Sequence, residues 1–154
     1  MNLDSKPVPC FDQPNAPHVR RGVVAVIERD ARLLVIERSA LVVAPGAFCF
    51  PGGGIEPLES EAEAIARELR EELGIESTPL RRIWHSRTPW HVDLAWWHVA
   101  IDDAAEIRPN PTEVASVSWR STSEIRALTG VLSSNLAFLD AIARGEIAKF
   151  ADAL

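Results

Sequence analysis

Between Gly53 and Ile75 the chain reads GGIEPLESEAEAIARELREELGI. On a helix, Glu68 lies three residues from Glu71 and four from Glu72, so the three carboxylates share one face. Glu61 lies near that face and Arg67 sits at its flank. Ala62, Ile65, Leu69 and Leu73 recur at helical spacing on the other side and form a core stripe. Glu-rich faces are commonly solvated surface, because Glu is a strong helix former. The cluster becomes useful if its oxygens hold a hard divalent cation, since Mg²⁺ prefers oxygen ligands and neutralises the charge. Gly52, Gly53 and Gly54 favour that second reading. They allow backbone to approach a ligand closely, which a bland helix does not need.

The elements around this segment position it. Ser60 is a good N-cap, Glu63 three residues later completes a capping box, and Gly74 stops the helix. Upstream, residues 20–28 and Arg32–Arg38 read as strands joined by Arg29-Asp30-Ala31, which predicts a hairpin. Residues 39–46 read as a loop, and a short strand, Ala47–Phe50, leads into Pro51-Gly52. Downstream, strands are expected at 79–87 and 92–101, the second apolar on both faces. A loop follows at 102–112, then a strand at Val114–Trp119 and helices near 121–128 and 134–144. Four prolines in residues 1–17 predict an extended arm, with 18–154 as a single domain. Irregular alternation of strands and helices predicts an α/β fold, a mixed sheet with helices packed on it.

Composition sets the outer bounds. The chain has 154 residues, 47% hydrophobic and 25% charged, the mix of an ordinary globular domain. The formal net charge of -6 disfavours a nucleic-acid partner, and a phosphate-bearing ligand would need a metal to mediate the contact. No apolar run approaches the ~20 residues of a membrane span, and no signal-peptide core is present, so no membrane and a cytoplasmic location are expected. Cys10 and Cys49 match no metal spacing and suit a reducing compartment.

The glycine-carboxylate segment resembles the Nudix box, the signature of hydrolases of nucleoside diphosphates linked to another group. Gly53, Glu59, Arg67, Glu68, Leu69, Glu71, Glu72, Gly74 and Ile75 fill every specified position. The flanks fit as well, with Phe50-Pro51-Gly52-Gly53 before the box and Glu113 and Trp119 after it, so the resemblance runs over roughly residues 20–145. It implies the Nudix-like α/β/α sandwich with its mixed sheet between helices. Carried over by position, Glu68, Glu71 and Glu72 would ligate Mg²⁺ (or Mn²⁺), with the Gly52 carbonyl completing the shell. Arg67 would orient the carboxylates. Glu59 would fix the loop–helix geometry, and Glu59 and Gly53 would also border the substrate. Many members have glycine where this chain has Leu58, which puts loop shape near the metal in question.

The activity implied is metal-dependent hydrolysis of a phosphoanhydride bond. Glu68 and Glu113 are both candidates for the general base. The substrate would be a small nucleotide: a nucleoside triphosphate, ADP-ribose or a dinucleoside polyphosphate. The arginine-containing motif of coenzyme A-cleaving relatives and the Ser-Gln-Pro-Trp-Pro-Phe array of NADH-cleaving relatives are absent. A non-catalytic Nudix-like nucleotide-binding or regulatory module is the alternative, but such modules usually lose box carboxylates, and here all are present. Members are often homodimers. Arg38 and Arg21 are candidates to reach substrate phosphates, against a default of solvent exposure. Of Trp84, Trp90, Trp96 and Trp97, at least two are expected in the core, and Trp90 in a loop against a ligand.

Overall fold

A computed structural model describes residues 19–147. The expected N-terminal arm therefore lies outside the described residues. In chain order the elements are β1 (Arg20–Val26), β2 (Glu28–Arg29), β3 (Arg32–Arg38), β4 (Phe48–Cys49), β5 (Gly52–Gly54), α1 (Glu61–Leu73), β6 (Thr78–Arg87), β7 (Val92–Ala100), β8 (Val114–Arg120), α2 (Thr122–Ala127) and α3 (Ser133–Ala143).

The mixed sheet has the order β5-β1-β7-β6. β1 runs parallel to β7, pairing Arg20 with Val92, and antiparallel to β5. Its run Gly22–Val26 is buried, as a central strand requires. A second sheet joins β2, β3 and β4, with β8 antiparallel on the far side of β3.

The expected hairpin is therefore much shorter than residues 20–38. Glu28↔Leu33 and Arg29↔Arg32 pair across the turn and the Leu34 amide donates to the Ile27 carbonyl beyond them; Asp30 and Ala31 both have positive φ, as a tight two-residue hairpin requires. β1 instead leaves for the other sheet. A run of apolar residues reveals that a strand is buried, but not which strand it pairs with.

Side chains alternate across β7 and place helices on both faces of the mixed sheet. Trp96 stacks on Phe138 of α3, with ring centroids 4.6 Å apart and planes 1° from parallel. Phe50 and Trp84 pack their rings against the same pair. Trp97 faces the opposite way, toward α1, and its Nε1 donates to Glu61 Oε2 at 2.8 Å. The fold is thus an α/β sandwich with a mixed sheet between helices. Among the described residues, no helix is long and apolar enough to cross a membrane.

Candidate active site

α1 begins and ends as its sequence dictates. The Ser60 side chain accepts from the Glu63 amide, and the Glu63 carboxylate accepts from the Ser60 amide. Gly74 takes the left-handed conformation and closes the helix. The buried stripe is Ala64, Ile65, Leu69 and Leu73, with Ala62 only half-buried, a shift from the expected set. Glu68 and Glu72 are buried too, on the edge of that stripe next to β5, whereas Glu71 is exposed. The three glutamates sit within one turn, but only two point into the protein. Glu61 turns away from them to the sheet, where Arg21 and Arg82 flank it at 3.5 and 3.4 Å.

The glycines have a structural use that their spacing did not reveal. They form strand β5 rather than a loop, with Gly53 opposite Val23 and Gly52 opposite Val24. A Cβ on Gly52 would collide with the Val23 carbonyl oxygen, and one on Gly53 with the Glu68 carboxylate. The close approach they permit is first of all to their own chain. The Gly52 amide donates to Glu72 Oε2 at 3.2 Å. Behind β5, the Pro51 carbonyl accepts from the Ala25 amide at 2.8 Å, and the Phe50 amide donates to Oδ1 of buried Asn135 at 2.8 Å. Asn135 is a positioning residue that sequence reading missed. Its only signal was a lone amide on the otherwise apolar face of α3.

Arg67 links α1 to the loop before it. Its Nε and Nη2 donate to the two Glu59 carboxylate oxygens at 2.7 and 2.9 Å. Nη2 also donates to the Gly54 carbonyl at 2.8 Å, and Nη1 to Glu68 Oε1 at 2.9 Å. Burial pushes the Glu68 carboxyl up to about 7 against the opposing pull of Arg67. Burial, with the neighbouring Glu68 charge, raises Glu72 well above the carboxylate range, and the Gly52 amide only partly offsets this. Hydrogen bonding to Arg67 holds Glu59 below its ordinary value.

Glu113, just before β8, borders the same site, and its charge acts on both Glu68 and Glu72. Glu68, Glu71, Glu113, Glu59 and Arg67 all line an open cleft of about 1390 Å³. Leu41, Val42 and Val43 of the 39–46 loop, Pro57 and Leu58 of the loop before α1, and Arg20 and Arg21 line it as well. Arg38 differs from the expectation of exposure. It is buried, and its Nε donates to the Val43 carbonyl at 2.6 Å, so it braces the 39–46 loop from within. Trp90 is in the turn between β6 and β7, as expected for a loop residue, but is not among the residues lining the cleft. Cys49 is buried, with its thiol pushed up to about 12 by burial, and has the character of a small core side chain.

The donor chemistry fits a hard divalent cation. Two buried acids without a full counter-charge lie beside a third, exposed one, and all the donor atoms are oxygens. Among the described residues, no three His, Cys, Asp or Glu side chains converge closely enough to hold one ion as they stand. The reason is visible in Arg67, whose Nη1 lies 2.9 Å from Glu68 and 3.5 Å from Glu71, occupying the space between them with its own charge.

The family model described as "NUDIX domain" matches residues 16–141. A CTP pyrophosphohydrolase of Escherichia coli (strain K12) is 52% identical over 56 residues, which is 36% of this chain and 42% of that protein. An NAD-capped RNA hydrolase NudC of Stutzerimonas stutzeri is 29% identical over 73% of this chain and 40% of its own length. The chain thus spans about two fifths of these relatives. Among solved structures, that of the E. coli ORF135 protein superposes with a TM-score of 0.66 at 30% identity, covering 86% of this chain and 94% of that one. A MutT protein from Methanosarcina mazei Go1 gives 0.68 at 22% identity, covering 89% of this chain and 99% of that one, which bears on the fold alone. The match across most of the chain, on the fold and acidic helix described above, shows that this protein belongs to the NUDIX family.

Proposed function

We propose that the protein is a divalent-metal-dependent pyrophosphohydrolase that cleaves a phosphoanhydride bond in a nucleoside diphosphate linked to another group. The observation that carries this reading is the pair of buried carboxylates, Glu68 and Glu72, set against the glycines of β5 at the edge of an open cleft. Burying two acids side by side is costly unless a cation repays it. Glu68, Glu71, Glu72 and the Gly52 carbonyl would hold Mg²⁺ or Mn²⁺. When bound, the ion supplies positive charge to phosphate oxygens and makes a water more acidic.

The chain's own residues divide the remaining work. Arg67 fixes Glu68 by its Oε1, and Glu68 is the first candidate for the general base. Glu113, which lines the same cleft, is the second candidate base. Glu59 holds Arg67 in place, while Gly53 gives the Glu68 side chain its space.

Relatives described as a CTP pyrophosphohydrolase and a nucleoside triphosphatase make nucleoside triphosphates the first substrates to try. ADP-ribose and dinucleoside polyphosphates come next. The reading carries with it a small nucleotide rather than a nucleic acid as partner, a cytoplasmic setting and a homodimer.

A screen of these compounds with Mg²⁺ and with Mn²⁺ tests it, the pyrophosphate or phosphomonoester products being converted to phosphate by added pyrophosphatase or phosphatase, with Glu72→Gln as control. Turnover of one class, lost in the variant and in excess chelator, is the expected result. A folded wild-type protein that binds nucleotides but turns none over would point instead to a non-catalytic module.

A further inference from the structure

The loop between β5 and α1 contains a turn whose geometry conflicts with its sequence. The Glu59 amide donates to the Glu56 carbonyl at 3.1 Å, closing a four-residue turn over Glu56-Pro57-Leu58-Glu59. Proline suits the second position of such a turn. The third position has φ 64°, a left-handed conformation that turns of this kind normally give to glycine or asparagine. This chain places a leucine there. The leucine finds no apolar shelter in return, because Leu58 is fully exposed. A branched, apolar side chain in a left-handed conformation is unfavourable for the backbone, and its exposure adds nothing to the core.

The turn is nevertheless rigid. The Glu56 amide donates to Glu59 Oε1 at 3.0 Å, and Glu59 is gripped by Arg67 on α1. Leu58 is thus held on a fixed frame and lines the cleft.

The 39–46 loop brings a second leucine to the cleft. Leu41 is exposed and lines the cleft with Val42 and Val43. Its loop is pinned from below by Arg38 on the Val43 carbonyl, and by the Leu41 amide donating to Ser39 Oγ at 3.1 Å. Ala44, at φ 52°, is a second non-glycine residue in the left-handed region. Two braced loops each present an exposed leucine to one cleft, whose remaining lining carries the carboxylates.

We infer that Leu58 and Leu41 are specificity-determining residues that offer the base of a nucleotide an apolar contact, while its phosphates lie at the carboxylates. This rests on the proposed reading of the cleft as a nucleotide site and adds where the base sits. Phosphates have no business between aliphatic side chains, whereas the flat apolar face of a base does. The strain at Leu58 then has a function, since glycine would relax the turn but lose the contact.

Equilibrium binding separates this from the hydrolase reading, because it needs no turnover. The probes are ATP and inorganic tripolyphosphate, each with Ca²⁺, titrated by calorimetry into wild-type protein and into Leu58→Gly, Leu58→Asn and Leu58→Met. Leu58→Gly and Leu58→Asn should weaken ATP at least fivefold and leave tripolyphosphate within twofold, and Leu58→Met should stay near wild type. The melting temperature of Leu58→Gly should not fall. Unchanged ATP affinity in both variants overturns the inference. So does an equal loss for both probes, which would place the effect on the phosphates, or a loss in Leu58→Gly that Leu58→Asn does not share, which would assign it to backbone freedom. Wild-type protein that binds tripolyphosphate as tightly as ATP overturns it as well. Binding as expected without turnover of any nucleotide would remove the hydrolase reading and leave the base contact in place.

Discussion

The guanidinium of Arg67 meets the carboxylate of Glu59 edge to edge, through two hydrogen bonds of 2.7 and 2.9 Å. The same guanidinium reaches Glu68 and the Gly54 carbonyl, so one side chain sets the loop, the strand and the acidic helix relative to one another. Lysine has the charge but not the fork. Arg67→Lys should leave the circular dichroism spectrum unchanged and lower turnover by about 10–100-fold, the usual cost of losing a group that orients metal ligands. Steady-state kinetics at saturating Mg²⁺ would check this.

Glu72→Gln separates stability from activity. Burial opposes the charge on Glu72, and a neutral amide of nearly the same shape escapes that opposition. The metal-free variant should therefore melt at or above the wild-type temperature, while Mg²⁺ no longer raises it and turnover falls by orders of magnitude. Thermal denaturation with and without Mg²⁺, run beside the kinetic assay, reads both effects.

Gly53→Ala puts a methyl group into the Glu68 carboxylate. Overpacking of this kind costs about 1–3 kcal/mol. Urea denaturation should show the loss, and activity should fall further than stability, because the displaced group is the candidate base. Gly54→Ala, with open space at its Cβ position, serves as the control.

Stability should fall between mildly acidic and neutral pH when no metal is present. An unfolded glutamate releases its proton near its ordinary value of 4.5, whereas folded Glu68 holds it to about 7, and Glu72 is raised as well. Across that window the folded state binds more protons, so a rise in pH favours unfolding. A divalent cation competes with those protons and should raise the melting temperature more at pH 8 than at pH 5. A cation effect equal at both values would count against Glu68 and Glu72 as its ligands.

Asn135→Leu removes the acceptor of the Phe50 amide and leaves a buried donor without a partner, at a cost of about 1–3 kcal/mol. Chemical denaturation should show this. Because Phe50 leads into β5, activity should also decline.

Local signals in the sequence were the most legible. Ser60, Glu63 and Gly74 bracket α1 because capping is decided within a few residues, and the bounds of β6, β7, β8, α2 and α3 fall within one or two residues of expectation. What depends on distant partners was not legible. Nothing near Gly52–Gly54 announces that β1 will pair with it and turn three glycines into a strand. Nothing near Arg38 shows that it will be enclosed beneath the 39–46 loop. The identity of the acidic face could be read, but its division into buried Glu68 and Glu72 and exposed Glu71 follows from where β5 lies against the helix.

The pairing of β1 with β7 also bears on how the chain reaches this structure. Arg20 meets Val92, a partner 72 positions later, and every other pair in that ladder has the same separation. A nascent chain emerging from the ribosome therefore carries the apolar run Val23–Val26 for some time before β7 exists to cover one of its edges. Contacts at such range slow folding, because the intervening loop must be closed before it is rewarded. Until β7 arrives, the strand that supports the acidic site has β5 on one edge and an open ladder on the other, and such an edge is a template for aggregation.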